Sequence, residues 1–155
     1  MEQDDKMVQP TPQTNVSFFR FEDLRVYAKA TDYAAWVSDK MSAPRNESEK
    51  VLVGSFCHSA FDIALNIAEG SCRSKNQFDH YLKIAKTAIR ECVVYTELAH
   101  NVELLGEIDY DQSREYLMEL TRMIGALIIS LQRSTERRQE EAGETQYSSS
   151  EEMSY

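Results

Sequence analysis

Residues 46–73 read NESEKVLVGSFCHSAFDIALNIAEGSCR, and this stretch decides the fold. Its apolar residues recur with the 3.6-residue period of a helix, at Leu52, Phe56, Ala60, Ile63 and Ile67. Asn46 followed three residues later by Glu49 is a capping-box-like start, and Gly70 is a typical helix end. We therefore predict one long helix between Asn46 and Gly70.

Two further segments flank this helix and show the same period. The first runs from about Glu22 to Met41 and stops before Pro44, because the residue ahead of a proline disfavours helical backbone. We predict its core face at Leu24, Ala28, Thr31, Ala35 and Ser38. The other begins with the capping-box pair Ser74 and Gln77 and closes at Gly106. Its predicted core seam consists of Phe78, Leu82, Ala85, Ile89, Cys92, Thr96 and Ala99.

A last helix is predicted to begin near Asp109 or Asp111. Its apolar residues alternate spacings of three and four, the pattern of a bundle seam, at Leu117, Leu120, Ile124, Leu127 and Leu131. Four helices joined by short turns predict an all-α, antiparallel, up-down-up-down four-helix bundle. Five glycines and three prolines leave little material for a turn-rich β fold.

The acidity of the chain is concentrated in its two ends. The formal net charge is −9, but 18 acidic and 16 basic residues lie between Phe18 and Arg138, so this part is nearly neutral. Residues 1–17 are polar and contain Pro10 and Pro12, and residues 139–155 are rich in Ser and Glu. We predict disordered tails at 1–17 and 139–155 around one bundle domain at 18–138.

The composition also bears on the compartment. No charged segment followed by an apolar run opens the chain, so no signal peptide is expected. The most apolar span, from Val51 to Ala68, contains Asp62 and Asn66, which disfavour a transmembrane helix. Three cysteines without a CxxC spacing are typical of a reduced protein. We expect a cytoplasmic protein that does not span a membrane.

The helix at 46–70 is apolar around nearly its whole circumference, whereas a bundle leaves one face of each helix in water. We therefore predict that a second subunit covers this face. The predicted interface residues are Trp36, Cys57, Phe61 and Leu65. Tyr27, Tyr33 and Val37, which lie off the core face predicted for the first helix, support the same hypothesis. The alternative is a broad core face with a few exposed apolar residues.

The turn after this helix contains the segment NIAEGSCR. Gly70 fits the position where a helix ends in left-handed backbone. Glu69 lies where the helix dipole disfavours an acid, and Arg73 is the partner expected to offset that effect. Asn66 beside the core needs hydrogen-bond partners, and we favour a polar latch across the turn over a ligand site.

Three segments together resemble a known family: FEDLRVYAKA (21–30), NIAEGSCRS (66–74) and FDHYLKIAKTAIRE (78–91). They are similar to the bacterial four-helix bundle family whose founding members are reading frames within intervening sequences of 23S ribosomal RNA genes. The resemblance covers about residues 18–134. It assigns Asn66, Glu69, Gly70 and Arg73 to the family motif at the turn.

The resemblance implies an antiparallel four-helix bundle that assembles into a homopentameric ring and has no established enzymatic activity. It also implies a relationship to the accessory variability proteins of diversity-generating retroelements, basic pentamers that work with a reverse transcriptase and RNA. The near-neutral bundle and acidic tails of this chain depart from that basic branch. The resemblance predicts a self-assembling scaffold associated with RNA or ribonucleoprotein.

Other patterns suggest chemistry of their own. Lys83, Lys86 and Arg90 form a basic stripe that could contact phosphates, with a solvated helix face as the alternative. Arg73 and His80 resemble the R-x(4–6)-H signature of HEPN ribonucleases, in which His is the general acid or base; this metal-independent ribonuclease is our alternative function.

A single E-x-x-H motif occurs at Glu97–His100, but a di-metal site in a bundle needs a second copy and two more inward acids. His58 and Asp62 are most simply a surface polar pair. We predict no catalytic site, no metal, no cofactor and no small-molecule substrate.

Overall fold

The computed structural model describes the backbone of residues 17–151 and the side chains of residues 17–142. A short 3-10 helix at Arg20–Asp23 precedes four helices: α1 (Arg25–Lys40), α2 (Glu47–Ser71), α3 (Lys75–Asn101) and α4 (Glu107–Glu151). No strand occurs between residues 17 and 151, which confirms the predicted all-α fold of four helices. Of the predicted N-terminal tail, residues 1–16 lie outside the described residues.

Contacts between the helices show that neighbours run in opposite directions. Helices α3 and α4 are joined by Lys75 with Ser134 (2.7 Å) and by Thr96 with Ser113 (2.7 Å). Helices α1 and α4 are joined by Lys29 with Glu119 (2.5 Å) and by Lys40 with Asp109 (3.0 Å). For α2–α3, the hydroxyl of Ser59 donates to Glu91 at 2.7 Å, and Gly70 lies against Tyr81. In each of these pairs the residue number in one helix falls as the number in the other rises, which defines an antiparallel arrangement.

The core lies between the inward faces of all four helices. The predicted positions are fully or nearly fully buried at Phe56, Ala60, Ile63, Ile67, Leu82, Ala85, Ile89, Cys92, Thr96, Ala99, Leu117, Leu120 and Ile124. Leu52, Phe78, Leu127 and Leu131 are half-buried at the ends and packed against this core. The seams predicted for α2, α3 and α4 are therefore confirmed.

The core face predicted for α1 is wrong. The helix buries Val26, Ala30, Tyr33 and Val37, and its predicted core residues Ala28, Ala35 and Ser38 are exposed. Both faces have helical period, but only one carries the larger side chains, whose burial contributes more free energy. Tyr33 and Val37 therefore belong to the core, and they no longer support a subunit interface.

The predicted caps at the starts of α2 and α3 are confirmed. The side chain of Asn46 accepts a hydrogen bond from the backbone N–H of Glu49 at 2.9 Å, and Ser74 and Gln77 form a capping box. Glu49 is buried, and its carboxylate accepts from the backbone N–H of Arg45 at 2.7 Å. The hydrogen bonds from Arg45 lower the pKa of Glu49. Arg45 also donates to the carbonyl of Val102 at 2.6 Å, which ties the α1–α2 turn to the end of α3.

A chain of buried hydroxyl groups crosses the core from α1 to α3. The hydroxyl of Thr96 donates to the carbonyl of Cys92 at 2.8 Å, so Ser113 must donate to Thr96 and Tyr33 to Ser113, at 2.7 Å and 2.9 Å. Burial raises the pKa of Tyr33 well above its usual value, which keeps the phenol protonated as the donor. This single direction of donation satisfies all three hydroxyl protons.

Helix α4 continues beyond the predicted domain boundary at Arg138. The structure has helix to Glu151, where we predicted a disordered tail from Gln139. Low apolar content was the basis of that prediction, yet it limits packing rather than helix formation, and Gln139 to Ala142 are good helix formers. Residues 152–155 lie outside the described residues.

Helix α2 is also long and apolar enough to cross a membrane, by length and composition alone. The most apolar 18-residue window of this 25-residue helix has a mean hydropathy of 1.5, and a third of that window is buried inside the chain. The core helix of a soluble protein meets the same criterion, so the sequence prediction of no membrane span stays a prediction.

Candidate functional site

The motif turn owes its glycine to close packing and not to unusual backbone. Gly70 lies in the last turn of α2, and none of the described glycines has a positive φ, so the left-handed helix end predicted there is wrong. A Cβ on Gly70 would lie 2.6 Å from Tyr81 Cβ and 2.8 Å from Phe78 Cδ2. Real Cβ atoms essentially never approach other heavy atoms this closely. Only glycine lets α3 pack this tightly against α2.

Glu69 and Arg73 form the ion pair that the sequence predicted. Arg73 Nε donates to Glu69 Oε1 at 2.9 Å, and its terminal nitrogen contacts the same oxygen. The hydrogen bond that Arg73 donates to the Glu69 carboxylate raises the pKa of Arg73. Both side chains are about half exposed, and surface pairs of this kind contribute little to stability. The pair therefore orders the turn and occupies the Arg73 guanidinium.

The side-chain amide of Asn66 forms a hydrogen bond within α2. Its Nδ2 donates to the carbonyl of Asp62 at 2.8 Å, which is the local back-bond that short polar side chains form in helices. Asp62 also pairs with His58 at 3.4 Å, as predicted. The latch across the turn that we predicted for Asn66 is not formed by this amide nitrogen.

The predicted interface residues divide into two groups. Phe61 and Leu65 lie on the outside of α2, where they are 44% and 61% exposed. Trp36 instead stacks on Tyr33 with ring centroids 6.0 Å apart and packs against Tyr116 at 5.9 Å. It belongs to an aromatic cluster between α1 and α4, so its prediction as an interface residue is unsupported. Cys57 is half-buried beside Ser38, and burial raises the pKa of its thiol.

Phe61 and Leu65 form the rim of an open groove of about 500 Å³ between α1 and α2. The groove is lined almost entirely by apolar side chains: Phe21, Tyr27, Thr31, Ala34, Phe61, Ala64, Leu65 and Ala68. The exposed residues Ala28 and Ala35 lie on the same side of α1 as Thr31. We call this surface the α1–α2 face. The small side chains Ala34, Ala64 and Ala68 between larger ones leave a concave apolar surface without an intramolecular partner in the part of the chain described.

The structure shows a second groove, which the sequence analysis missed. It lies between α3 and α4, has a volume of about 300 Å³ and is lined by Val93, Arg114, Leu117, Met118, Thr121 and Arg122. We call it the α3–α4 groove. Met118 is half exposed, and its position off the seam of α4 between two arginines is the sequence signal that could have located this groove.

The predicted basic stripe on α3 is partly neutralised. Lys83 Nζ contacts Asp79 at 2.5 Å, and Arg90 makes a long hydrogen bond of 3.5 Å to the hydroxyl of Thr87. Lys86 is half-buried in the same stripe. Lys86 and Arg90 therefore remain the stronger candidates for contact with an external anion.

The residues of the two enzymatic hypotheses lie in ordinary surroundings. His80 is exposed and packs its ring against Tyr81 with centroids 5.9 Å apart. Glu97 accepts a hydrogen bond from Tyr110 at 2.8 Å, and His100 contacts the carbonyl of Leu105 at 3.0 Å. Among the described residues, no group of three or more His, Cys, Asp or Glu is placed to hold a metal ion.

These features define a class of protein, an antiparallel four-helix bundle with a glycine-packed α2–α3 turn and an exposed apolar face. The family model described as 23S rRNA-intervening sequence protein matches residues 22–126, which is more than half of the chain. The chain therefore belongs to the 23S rRNA-intervening sequence protein family. A search among curated proteins found no match.

Proposed function

We propose that this chain is a non-enzymatic, cytoplasmic protein that works as a homo-oligomeric helical assembly. The observation that carries the proposal is the α1–α2 face, where Phe61 and Leu65 border an apolar groove open to solvent. Contiguous exposed apolar surface of this kind marks interaction sites. The family resemblance favours five copies in a ring.

Substituting Phe61 with glutamate is expected to disrupt assembly and leave the monomer folded. Full burial of one large apolar side chain contributes about 1.5–3 kcal/mol, so its loss at each contact should weaken association at least tenfold. Because Phe61 lies outside the core, circular dichroism should still show a folded helical chain. Light scattering at micromolar concentration measures the change in mass.

Ile108→Glu is the matched control for Phe61→Glu. Ile108 is 83% exposed near the start of α4, a helix that contributes no residue to the lining of the groove, so this variant should assemble like the unmodified chain. A Phe61→Glu variant that keeps the wild-type mass would contradict the proposed interface. A loss of assembly in both variants would point to a general effect of added charge.

We further propose that the partner of the assembly is RNA or a ribonucleoprotein, contacted through Lys86 and Arg90. Two adjacent basic side chains on one helix face can neutralise phosphates, and repetition around an oligomer multiplies the contacts. The exposed acids of the same helix, such as Glu91, limit the local positive potential. We therefore expect weak binding.

RNA binding should lose affinity as salt rises, and Lys86→Glu should reduce the slope of that dependence. The measurement is fluorescence anisotropy of a labelled single-stranded RNA titrated with the intact protein at low and moderate salt. Lys50→Glu, at an exposed position in the first turn of α2, serves as a control of equal charge change. Absence of binding at low salt would overturn this part of the proposal.

The ribonuclease hypothesis has less support. In that hypothesis Arg73 would stabilise the phosphate charge, but it is hydrogen-bonded to Glu69. Catalysis would require its guanidinium to be free to contact the phosphate.

A further inference from the structure

We infer that a cavity at one end of the bundle binds a phosphate group. The cavity has a volume of about 420 Å³ and lies between the start of α3 and the late part of α4. Its lining residues are Arg73, Ser74, Lys75, Asn76, Thr135 and Arg138. All of them belong to one copy of the chain, so the inference goes beyond the proposed function and does not depend on assembly.

The lining of this cavity is positively charged. Three of its six residues are basic and none is acidic. Arg73 comes from the turn between α2 and α3, Lys75 from the first turn of α3, and Arg138 from α4. Cations that converge on one cavity from separate elements concentrate positive potential there. The cavity therefore favours an anion.

Lys75 forms no ion pair with an acid among the described residues. Its side chain is half-buried, and Nζ donates to the hydroxyl of Ser134 at 2.7 Å. A lysine ammonium has three N–H donors, so further donors remain for a ligand. Other lysines of the described chain do pair with carboxylates, namely Lys29, Lys40, Lys50 and Lys83. A half-buried cation held by a neutral hydroxyl is incompletely compensated, and a bound anion would supply the missing charge.

The remaining polar groups of the cavity differ in what they can donate. The hydroxyl of Thr135 donates to a backbone carbonyl of α4 at 3.0 Å, and the hydroxyl of Ser74 donates within the capping box at 3.2 Å. Asn76 and Arg138 form no side-chain hydrogen bond or ion pair with another described residue. The donors available to a ligand are therefore those of Lys75, Asn76 and Arg138, and the site consists of side chains rather than of the end of α3.

The acids beside the cavity limit its positive potential. They include Glu69, Asp79, Glu136 and Glu141. None of these four lines the cavity. Glu69 is paired with Arg73, so this arginine adds little charge, and Lys75 and Arg138 remain the cations of the site. We therefore expect weak but saturable binding.

A terminal phosphate suits these donors better than a phosphodiester. It presents three acceptor oxygens and a charge of about −1.5 to −2 near neutral pH, whereas each phosphate of a nucleic-acid backbone carries one negative charge. Lysine and arginine are both common phosphate ligands. The cavity volume of about 420 Å³ also falls within the range of small-molecule sites, roughly 300–1,000 Å³. The ligand class is inorganic phosphate or the terminal phosphate of a nucleotide.

An NMR titration of the intact chain with inorganic phosphate tests the inference. Ionic strength is held constant with chloride, and the side-chain amide signals of Asn76 are followed. We expect saturable shifts, and Lys75→Gln or Arg138→Gln should each weaken phosphate binding about tenfold or more, the loss of one charge-assisted hydrogen bond. Arg137→Gln is the matched control, because Arg137 is the exposed neighbour of Arg138 and does not line the cavity. It should bind phosphate like the unmodified chain.

A conservative variant separates loss of charge from loss of structure. Lys75→Arg keeps the positive charge and should retain most of the phosphate binding. Shifts that do not saturate, equal shifts with added chloride, or equal weakening by Arg137→Gln and Arg138→Gln would overturn the inference.

Two further ligands identify the source of the phosphate. Uridine 5′-monophosphate that binds more tightly than inorganic phosphate would identify a nucleotide, and equal affinity would identify phosphate itself. Uridine, which lacks the phosphate, should leave the Asn76 signals unchanged. Uridine binding as tightly as its monophosphate would contradict a phosphate site.

Discussion

Replacing Gly70 with valine is expected to lower the free energy of unfolding by about 3 kcal/mol or more, the upper range for overpacking a well-packed site. Any Cβ at this position would lie 2.6 Å from Tyr81 Cβ. That atom is attached directly to the backbone of α3 and cannot rotate away, so the two helices must separate to admit the side chain. Separation opens the core beneath them, around Ile67 and Leu82.

Gly54→Ala is the matched control in the same helix. A Cβ there would meet no atom within 4 Å, and alanine favours helix over glycine by about 1 kcal/mol. Urea unfolding at one protein concentration should therefore show opposite signs for the two substitutions. If Gly70→Val lowers the free energy of unfolding no more than Gly54→Ala does, Gly70 is not required by packing.

The second large effect is expected for Ser113→Ala. Ser113 accepts from Tyr33 and donates to Thr96 at 2.9 Å and 2.7 Å, so its removal leaves the Tyr33 hydroxyl without an acceptor in the core. A buried polar group without a partner lowers stability by about 1–3 kcal/mol. We expect a loss of about 2–3 kcal/mol in the free energy of unfolding, once the small cavity is included.

Two further variants show whether this loss comes from the hydroxyl chain. Ser130→Ala on the exposed side of α4 should change stability by less than about 0.5 kcal/mol. Tyr33→Phe combined with Ser113→Ala should cost less than the sum of the two single substitutions, because the unpaired donor disappears. Additive effects would contradict the chain of donation that links α1, α4 and α3.

The seams of α3 and α4 were predictable because each has one dominant apolar face with large side chains, such as Leu82 and Leu120. Helix α1 has two periodic faces. Ala28 and Ala35 mark one of them and Tyr33 and Val37 the other, and periodicity alone does not say which is buried. The structure resolves the choice, and the face left outside becomes part of the α1–α2 face.

The motif turn was recognisable from sequence, but its physical cause was not. A glycine near a helix end suggests left-handed backbone, whereas Gly70 is needed because Phe78 and Tyr81 on the next helix approach it. That distance depends on how α2 and α3 pack, which a single sequence does not encode locally. The α3–α4 groove was missed for the same reason, since Val93 and Met118 come together only in the folded bundle.

The exposed residues predicted from α2 were found because the helix is apolar almost all round. Phe61 and Leu65 are on its outer side, together with Val51. Trp36 was assigned with them because it lies off the core face predicted for the first helix, and the structure places it beside Tyr33 and Tyr116. Large aromatic residues beside a core face are ambiguous until the neighbouring helix is known.

The central claim is that this member of the 23S rRNA-intervening sequence protein family is a homo-oligomer. Sedimentation equilibrium of the unmodified chain tests it most directly, because the method gives mass without assuming a shape. We expect several times the 17.8 kDa monomer mass at micromolar concentration, with five copies favoured by the family resemblance. A single species of monomer mass at that concentration would contradict the claim.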